Sequence, residues 1–297
     1  MSENEKDIDE ATGVDTTGHE WDGIKELNNP LPRWWLWTFY ATIVFSIGYM
    51  IAYPAIPLLE GATAGVLGTS NRTELKVEMA ALGESRRDRL AQLAQKDLET
   101  IRNDENLVRF AAAGGASLYK VYCTQCHGSG AAGGPGYPNL NDDDWLWGGD
   151  LEAIYTTIKH GVRNDEDDDA RLSEMPAFGK DEILERDEIN AVTEYVLKLS
   201  NQEHDVALAT TGQEVYMDNC SSCHGDNGRG GREFGAPNLA DSISLYGNTR
   251  STIRAQIVNP QLGVMPPWIE RLGDASIKQL AIYVHALGGG EAAPVEE

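Results

Sequence analysis

The chain has 297 residues, of which 24 are lysine or arginine and 47 are aspartate or glutamate, so its formal net charge is −23 at pH 7. This charge argues against a nucleic-acid-binding protein, because contact with a phosphate backbone needs a basic surface. It favours basic partners through long-range attraction, and it also keeps the protein soluble. The hydrophobic content of 41% excludes both a disordered chain and a protein with many membrane spans.

The N-terminal part predicts a tail followed by one membrane helix. Residues 1–33 are polar and acidic without a persistent helical or strand period, and they end in a proline-containing turn. The next stretch, 34–56, carries no charge and has tryptophan and tyrosine toward its ends. About 20 residues of helix cross a bilayer, and aromatic residues mark its interfaces. We therefore predict a transmembrane helix over 34–57.

A cleaved signal peptide is the alternative to a retained anchor. Ala62-Thr63-Ala64 has the small residues of a cleavage site. The apolar run is longer than the hydrophobic part of a signal peptide, however, and the leader before it is long and acidic. We therefore favour a retained anchor. Basic residues just before the span, and none after it until Arg72, weakly place the tail in the cytoplasm.

Residues 58–113 are predicted to be a linker with amphipathic helices. Within the charged segment 71–113, leucine and methionine recur at near-helical spacing. The segment either connects the anchor to the globular part, packs on a partner, or lies on its own domain.

From residue 114 onward the chain repeats itself. A Cys-x-x-Cys-His motif, a Pro-Asn-Leu segment, a Met-Pro segment and a tyrosine-bearing helical pattern occur in the same order twice. We interpret this as two copies of one domain, 114–202 and 203–290, with a C-terminal tail at 291–297. The repeats are helical and loop-rich, which predicts an all-α protein. Because Cys-x-x-Cys-His is also a haem-attachment signature, the repeats are predicted to be two tandem class I cytochrome c-like domains on a single N-terminal transmembrane helix.

The repeated motif is the attachment signature of a c-type haem. Two thiols on one helical turn form thioethers with the haem vinyl groups, and the adjoining imidazole binds the iron. All four cysteines of the chain lie in these motifs, so none remains for a disulfide. A four-thiolate zinc site and a redox dithiol are the alternatives, but neither explains the histidines and the repeated Met-Pro segments. The predicted covalent and proximal haem contacts are Cys123, Cys126 and His127 in the first repeat, and Cys220, Cys223 and His224 in the second.

Met175 and Met265 are the predicted distal iron ligands. Each precedes a proline near the last helix of its repeat. A thioether opposite a histidine gives a low-spin iron with a raised potential, whereas packing is the ordinary role of a methionine. The simplest assignment pairs Met175 with His127 and Met265 with His224. Two duplicated domains packed face to face could instead exchange their methionine loops, and the residues leave both arrangements open.

Other polar residues are secondary candidates. His160 is an alternative ligand for the first iron, although we favour a position at the end of a helix just before Gly161. The acidic run 164–169 is interpreted as a solvated loop or a docking patch for a basic cytochrome. Haem propionates need hydrogen-bond donors, and the candidates are Arg163, Arg250, Arg254, Trp145 and Trp147.

The segment at the start of the predicted membrane helix distinguishes one protein family among those with haem motifs. Together with the tandem haem motifs and the segments Met175–Phe178 and Met265–Trp268, the sequence of Asp22–Trp35 resembles the dihaem subunit III, called CcoP or FixP, of cbb3-type cytochrome c oxidases. The resemblance covers nearly the whole chain. It carries the haem ligands over onto His127, His224, Met175 and Met265, and it favours the crossed methionine assignment.

The resemblance implies a function and a location. The chain would hold two covalently bound haems c and take electrons from donor cytochromes c. It would pass them to the monohaem subunit and on to the haem–copper subunit that reduces O2, without being the catalytic subunit itself. Because c-type haems are attached outside the bacterial inner membrane, the haem domains would be periplasmic and the single-pass anchor would leave the N-terminus cytoplasmic, in contact with membrane lipid.

Three other functions share these motifs. A stand-alone anchored shuttle, or a cytochrome subunit of another reductase or dehydrogenase, has the same haem features. A dihaem peroxidase needs one iron with an open position. An assembly subunit needs no electron transfer at all.

Overall fold

The computed structural model describes residues 7–241 and 243–293, so the outermost parts of the predicted tails, 1–6 and 294–297, lie outside the described residues. The chain forms two compact units, Met1–Ser85 and Arg86–Glu297. The first unit contains two small antiparallel hairpins and the first long helix. Its elements are β1 (Thr16–Trp21), β2 (Ile24–Leu27), α1 (Arg33–Ala52), β3 (Pro57–Leu58), β4 (Gly61–Ala62) and the start of α2 (Asn71–Gln95).

The hairpin β1–β2 was missed in the sequence, where no strand period was found before residue 33. Its turn is Asp22-Gly23, and both residues have positive φ, 51° and 83°. An Asp-Gly pair is a strong signal for a two-residue hairpin turn, so the signal was present although the flanking alternation was weak. The fold is mostly helical, as predicted, with these small hairpins added.

Helix α1 is exposed along its whole length and is apolar enough to cross a membrane, with a mean hydropathy of 1.4. Its 20 residues give a length of about 30 Å, which matches the hydrocarbon core. The helix ends at Ala52, five residues before the predicted end of the span at 57. Tyr53 is extended, with φ −115° and ψ 161°, because Pro54 disfavours the helical conformation in the residue before it.

The second unit is helical. In the segment predicted to be a linker, α2 buries Leu93, and two further helices follow before the first haem motif. The helices of this unit after α2 are α3 (Leu98–Asn103), α4 (Glu105–Tyr122), α5 (Thr124–His127), α6 (Leu151–His160), α7 (Arg186–Leu199), α8 (Val206–Asn219), α9 (Ser221–His224), α10 (Arg250–Val258), α11 (Ile269–Leu272) and α12 (Asp274–His285).

Aspartate caps determine where three of these helices begin. Asp104, Asp150 and Asp205 each stand at the N-cap of α4, α6 and α8, and each side chain accepts two backbone N–H groups of the first turn. These groups have no partner within the helix, so the caps stabilise each start by about 1 kcal/mol.

The last helices of the two repeats are exchanged between the hydrophobic cores. Helix α12, at the end of the second repeat, packs against α4 and α6 of the first. Helix α7, at the end of the first repeat, packs against α8 and α10 of the second. The boundaries 114–202 and 203–290 therefore follow the sequence repeat, whereas each core is built from both repeats.

Two equivalent glycines make this close packing possible. A Cβ atom on Gly115 of α4 would lie 2.1 Å from the backbone oxygen of Gln279 in α12. A Cβ atom on Gly212 of α8 would lie 2.0 Å from the backbone oxygen of Ala191 in α7. The two helix pairs thus cross with their backbones in direct contact, which no larger residue permits at these positions.

The repeated tyrosines show the same exchange. The ring of Tyr119 packs at a tilt against Tyr283 of the second repeat, with centroids 5.5 Å apart, and the ring of Tyr216 packs in the same way against Tyr195 of the first, at 5.1 Å. Tyr119 and Tyr216 are buried, and each hydroxyl donates to the carbonyl of the glycine that follows its haem-motif histidine. A buried tyrosine of each hydrophobic core thereby holds the end of the adjacent Cys-x-x-Cys-His motif in place.

An ion pair fastens α7 to the second repeat. Buried Glu194 of α7 accepts hydrogen bonds from the half-exposed Arg250 of α10 and from the backbone N–H of Asp205, the N-cap of α8. The hydrogen bond from Arg250 is the main cause that lowers the pKa of Glu194 below its ordinary value of 4.5. A carboxyl group with a lowered pKa contributes stability above that value, and the contribution is lost as the pH falls through the native pKa.

We expect Arg250→Gln to lower the free energy of unfolding at pH 7, because it leaves the buried carboxylate of Glu194 without its charged partner. The variant should also lose less stability than the wild type as the pH falls below about 4.5. Urea unfolding, followed by circular dichroism at pH 7 and below about pH 4.5, measures the free energy of unfolding of both proteins. Arg229→Gln, at an exposed position, is the control, and an equal effect of both variants would contradict the assignment.

Candidate cofactor sites

Each thiol pair stands on one helical turn directly after a long helix. Cys123 ends α4 and Cys220 ends α8, and the short helices α5 and α9 carry the second cysteine and the histidine. Each histidine is followed by a glycine, Gly128 or Gly225, with φ of 79° or 74°. The left-handed conformation, which glycine adopts without strain, ends the turn.

A backbone carbonyl fixes the tautomer of both motif histidines. The Nδ1 atom of His127 lies 3.1 Å from the oxygen of Pro138, and that of His224 lies 3.1 Å from the oxygen of Pro237. A carbonyl oxygen only accepts, so Nδ1 donates and Nε2 keeps its lone pair for a metal. Burial lowers the pKa of both imidazoles, which keeps them neutral at pH 7.

The first cavity lies beside the first thiol pair. It is lined by Cys123, Cys126 and His127, and also by Met265 of the second repeat. The surrounding side chains are mostly apolar. They include Ile154, Ile158, Val162, Leu280 and Val284.

The second cavity is arranged in the same way with the repeats reversed. It is lined by Cys220, Cys223 and His224, and also by Met175 of the first repeat. Its apolar walls again come from both repeats. They include Phe178, Val192, Val196, Leu239 and Ile257.

Backbone hydrogen bonds hold the Met265 loop against the first repeat. Val162 and Met265 exchange two N–H···O bonds, of 2.9 and 3.0 Å. A Cβ atom on Gly161, which ends α6 with φ 76°, would lie 2.3 Å from the oxygen of Met265. The close approach of this loop therefore depends on glycine at position 161.

Burial raises the pKa of the Cys123 and Cys220 thiols to about 11, each with a smaller contribution from the second cysteine of its pair. Within residues 7–241 and 243–293, one cluster of His, Cys, Asp or Glu side chains is close enough to share a metal ion, and it contains no cysteine. The four-thiolate zinc alternative therefore finds no support.

His160 does not line either cavity. It is the last residue of α6, and its Nδ1 atom lies 2.9 Å from Asp167. The favoured position at the helix end was right, and the alternative of an iron ligand is unsupported. Asp167 lies in the acidic run 164–169 and is only 16% exposed in its side chain, so that run is not a wholly solvated loop.

The propionate-donor candidates separate into two groups. Arg163, Trp145 and Trp147 line the first cavity, and Arg163 lines the second as well. The indole N–H of Trp145 donates to the carbonyl of Gly289. Arg250 and Arg254 line neither cavity and instead bond to Glu194 and Asn190.

The wall between the cavities was not found in the sequence. Leu146, Arg163, Leu245 and Tyr246 line both cavities. Of these, Arg163 alone was a candidate. A signal was present for the others, because Leu146-Trp147-Gly148 and Leu245-Tyr246-Gly247 stand at equivalent positions of the two repeats. Their shared role follows from the tertiary packing.

The residues present fit a covalently bound haem. Each cavity is largely apolar and brings two thiols, one imidazole with an unprotonated Nε2 and one thioether to the same space. This donor set gives the covalent and axial bonds of His/Met haem c. The fold and the sites thus define a c-type cytochrome.

Comparison with known proteins identifies the family. The model described as "N-terminal domain of cytochrome oxidase-cbb3, FixP" matches residues 13–60. The model described as "Cytochrome C oxidase, cbb3-type, subunit III" matches residues 110–196 and 207–284. The chain is 54% identical to the subunit CcoP of Cereibacter sphaeroides over 93% of its own length and 95% of that protein, and 53% identical to the subunit FixP of Sinorhizobium medicae over 98% and 100%.

The chain belongs to the family of subunit III of cbb3-type cytochrome c oxidases. It is an electron-transfer subunit that carries haem c, and not the catalytic subunit of the oxidase. Within the part of the chain that the structure describes, helix α1 is the one candidate for its membrane anchor.

Proposed function

We propose that the chain binds two haems c and relays electrons from a donor cytochrome c, through both haems, toward the monohaem and haem–copper subunits of the oxidase. The observation that carries this proposal is the pair of cavities, each with two thiols, an imidazole and a thioether. Haem iron supplies reversible one-electron chemistry, and the protein supplies binding, orientation and electrostatics.

The crossed ligand assignment has the better support. Met265 would serve the iron of His127, and Met175 would serve the iron of His224, because each pair lines one cavity. The hydrogen bonds between Val162 and Met265 support the first of these pairs independently of the cavities. Cys123 and Cys126 would form the thioethers of the first haem, and Cys220 and Cys223 those of the second.

The protein groups have separate tasks in this scheme. The carbonyls of Pro138 and Pro237 orient the imidazoles through Nδ1 and increase their basicity as ligands. The apolar walls exclude water and keep the surroundings of the iron nearly unchanged during electron transfer. With Met265 and Met175 as the distal ligands, neither iron would have an open position, which disfavours a peroxidase.

The proposed topology follows from the attachment chemistry. Haem c is attached outside the bacterial inner membrane, so the second unit would be periplasmic and the N-terminal tail cytoplasmic. The net charge of −23 would attract a basic donor cytochrome c, an effect that weakens as salt increases.

A redox-titrated absorption spectrum of the purified oxidase complex, with a pyridine haemochrome assay, tests the proposal. We expect two haems c per chain, both low-spin and both reduced reversibly. A variant in which both Cys220 and Cys223 are replaced by serine should retain one haem in this chain, and the wild type is its control. Peroxide turnover by the isolated chain, or a single haem in the wild type, would contradict the proposal.

A further inference from the structure

Arg163 occupies the wall that the two cavities share. Among the residues that line both cavities, it is the one charged side chain, beside Leu146, Leu245 and Tyr246. A charge at this position acts on both cavities, because Arg163 lines each of them.

The side chain of Arg163 binds both methionine loops. Its Nε atom donates to the carbonyl of Gly263 at 2.7 Å, and its Nη1 atom donates to the carbonyl of Ser173 at 3.1 Å. Gly263 stands two residues before Met265, and Ser173 stands two residues before Met175. One guanidinium group thus connects the two loops that supply the distal sulfur atoms.

The backbone of Arg163 is strained at the same place. Its φ of 50° is left-handed, a conformation that glycine adopts without strain and arginine does not. Its N–H donates to the carbonyl of Arg171, and the preceding Val162 is hydrogen-bonded to Met265. Strained non-glycine residues concentrate at functional sites, where the surrounding contacts hold them.

We propose that Arg163 is a positioning residue common to both haem sites, which fixes the Met175 and Met265 loops together and raises the reduction potential of both haems through its charge. This inference rests on the proposed function, since it concerns haems bound in both cavities. It goes further, because it makes one residue responsible for the position of the methionine loop and for the reduction potential at both sites.

The electrostatic part follows from the charge of the oxidised iron. Oxidation adds one positive charge to a haem, and a nearby cation opposes it, so the reduced form is favoured and the potential rises. Glu174 and Tyr246 lie close enough to interact with Arg163. Glu174 also lines the second cavity, but its carboxylate is unchanged when Arg163 is replaced, so removing the charge of Arg163 should lower the potentials of both haems.

The test compares Arg163→Gln and Arg163→Lys in the purified oxidase complex. Redox titration should show that Arg163→Gln lowers the potential of both haems. At the first haem, the equilibrium constant for reduction should fall about tenfold, which corresponds to about 59 mV for one electron. Arg163→Lys keeps the charge and should restore most of the potential. A single ammonium group cannot bind both carbonyls in the planar arrangement of a guanidinium, so both variants should bind added imidazole more readily at both irons.

Arg171→Gln is the matched control. Arg171 is also half-buried and donates to Thr157 and to a backbone carbonyl of α6, but it lines neither cavity. We expect it to leave the second haem unchanged in potential and imidazole binding.

The outcomes distinguish a failure of the role inferred for Arg163 from a failure of the proposed electron-transfer function. A shift of only one haem in Arg163→Gln, or unchanged imidazole binding in Arg163→Lys, would overturn the shared role of Arg163 while the wild type still contains two His/Met haems. If Arg163→Gln fails to assemble, Arg163→Lys decides by its imidazole binding. Fewer than two haems in the wild type would instead refute the proposed function.

Discussion

Replacement of Met265 by leucine is expected to alter the haem attached at Cys123 and Cys126, in the other repeat. Met265 lines the cavity of His127 and is hydrogen-bonded through its backbone to Val162. If Met265 is the distal ligand, as proposed, the variant lacks that ligand, and the potential of that haem should fall by roughly 100 mV or more, within the range that axial ligands control. The sulfur-to-iron charge-transfer absorption of that haem should disappear.

Variants with a single haem identify which iron is affected. In a chain whose Cys220 and Cys223 are serine, the remaining haem should still respond to Met265→Leu and should not respond to Met175→Leu. The reciprocal chain, with serine at Cys123 and Cys126, should show the opposite pattern. A response to the methionine of the same repeat would contradict the crossed assignment.

Gly115→Ala is expected to be strongly destabilising. The new methyl group would lie 2.1 Å from the backbone oxygen of Gln279 and 2.6 Å from Cβ of Tyr283. Backbone atoms of a packed helix cannot yield as a side chain can, so the cost should reach about 3 kcal/mol, at the upper end for overpacking. Because α12 follows the Met265 loop closely in the chain, its displacement should also weaken the distal ligation of the first haem.

Thermal unfolding and the charge-transfer band together measure this effect. Gly212→Ala, at the equivalent position, should act in the same way on the second haem, since its methyl group would meet the backbone of Ala191. Gly83→Ala is the control, because a Cβ atom there meets nothing within 4 Å, and a helical glycine replaced by alanine gains up to about 1 kcal/mol. Equal behaviour of all three variants would contradict the packing argument.

The predicted haem contacts depend on local chemistry. The Cys-x-x-Cys-His motif contains three of the four protein contacts of a haem within five residues, so its geometry depends on one helical turn. The anchor was predictable for a similar reason. A segment that crosses the hydrocarbon core must be one continuous apolar helix whose backbone hydrogen bonds are all internal. The hairpin at Asp22-Gly23 carried its own turn signal, and the end of α1 at Ala52 followed from Pro54, so both deviations from the predictions have local causes.

Long-range packing explains what could not be predicted. Each repeat contains a complete set of helices and a Met-Pro segment, so the sequence is equally compatible with two self-contained domains and with two exchanged ones. The choice depends on contacts such as Gly115 with Gln279, and Gly212 with Ala191, between residues far apart in the chain.

The amino-acid sequence by itself therefore indicated the cofactor class and the membrane anchor, and it predicts the covalent and proximal contacts, because each depends on neighbouring residues. The tertiary structure alone decided which methionine faces which histidine, and that Arg163 lies between the two sites. The physical reason is that the same hydrophobic surfaces occur twice in the chain, and only the packing of the folded backbone selects which copy each one contacts.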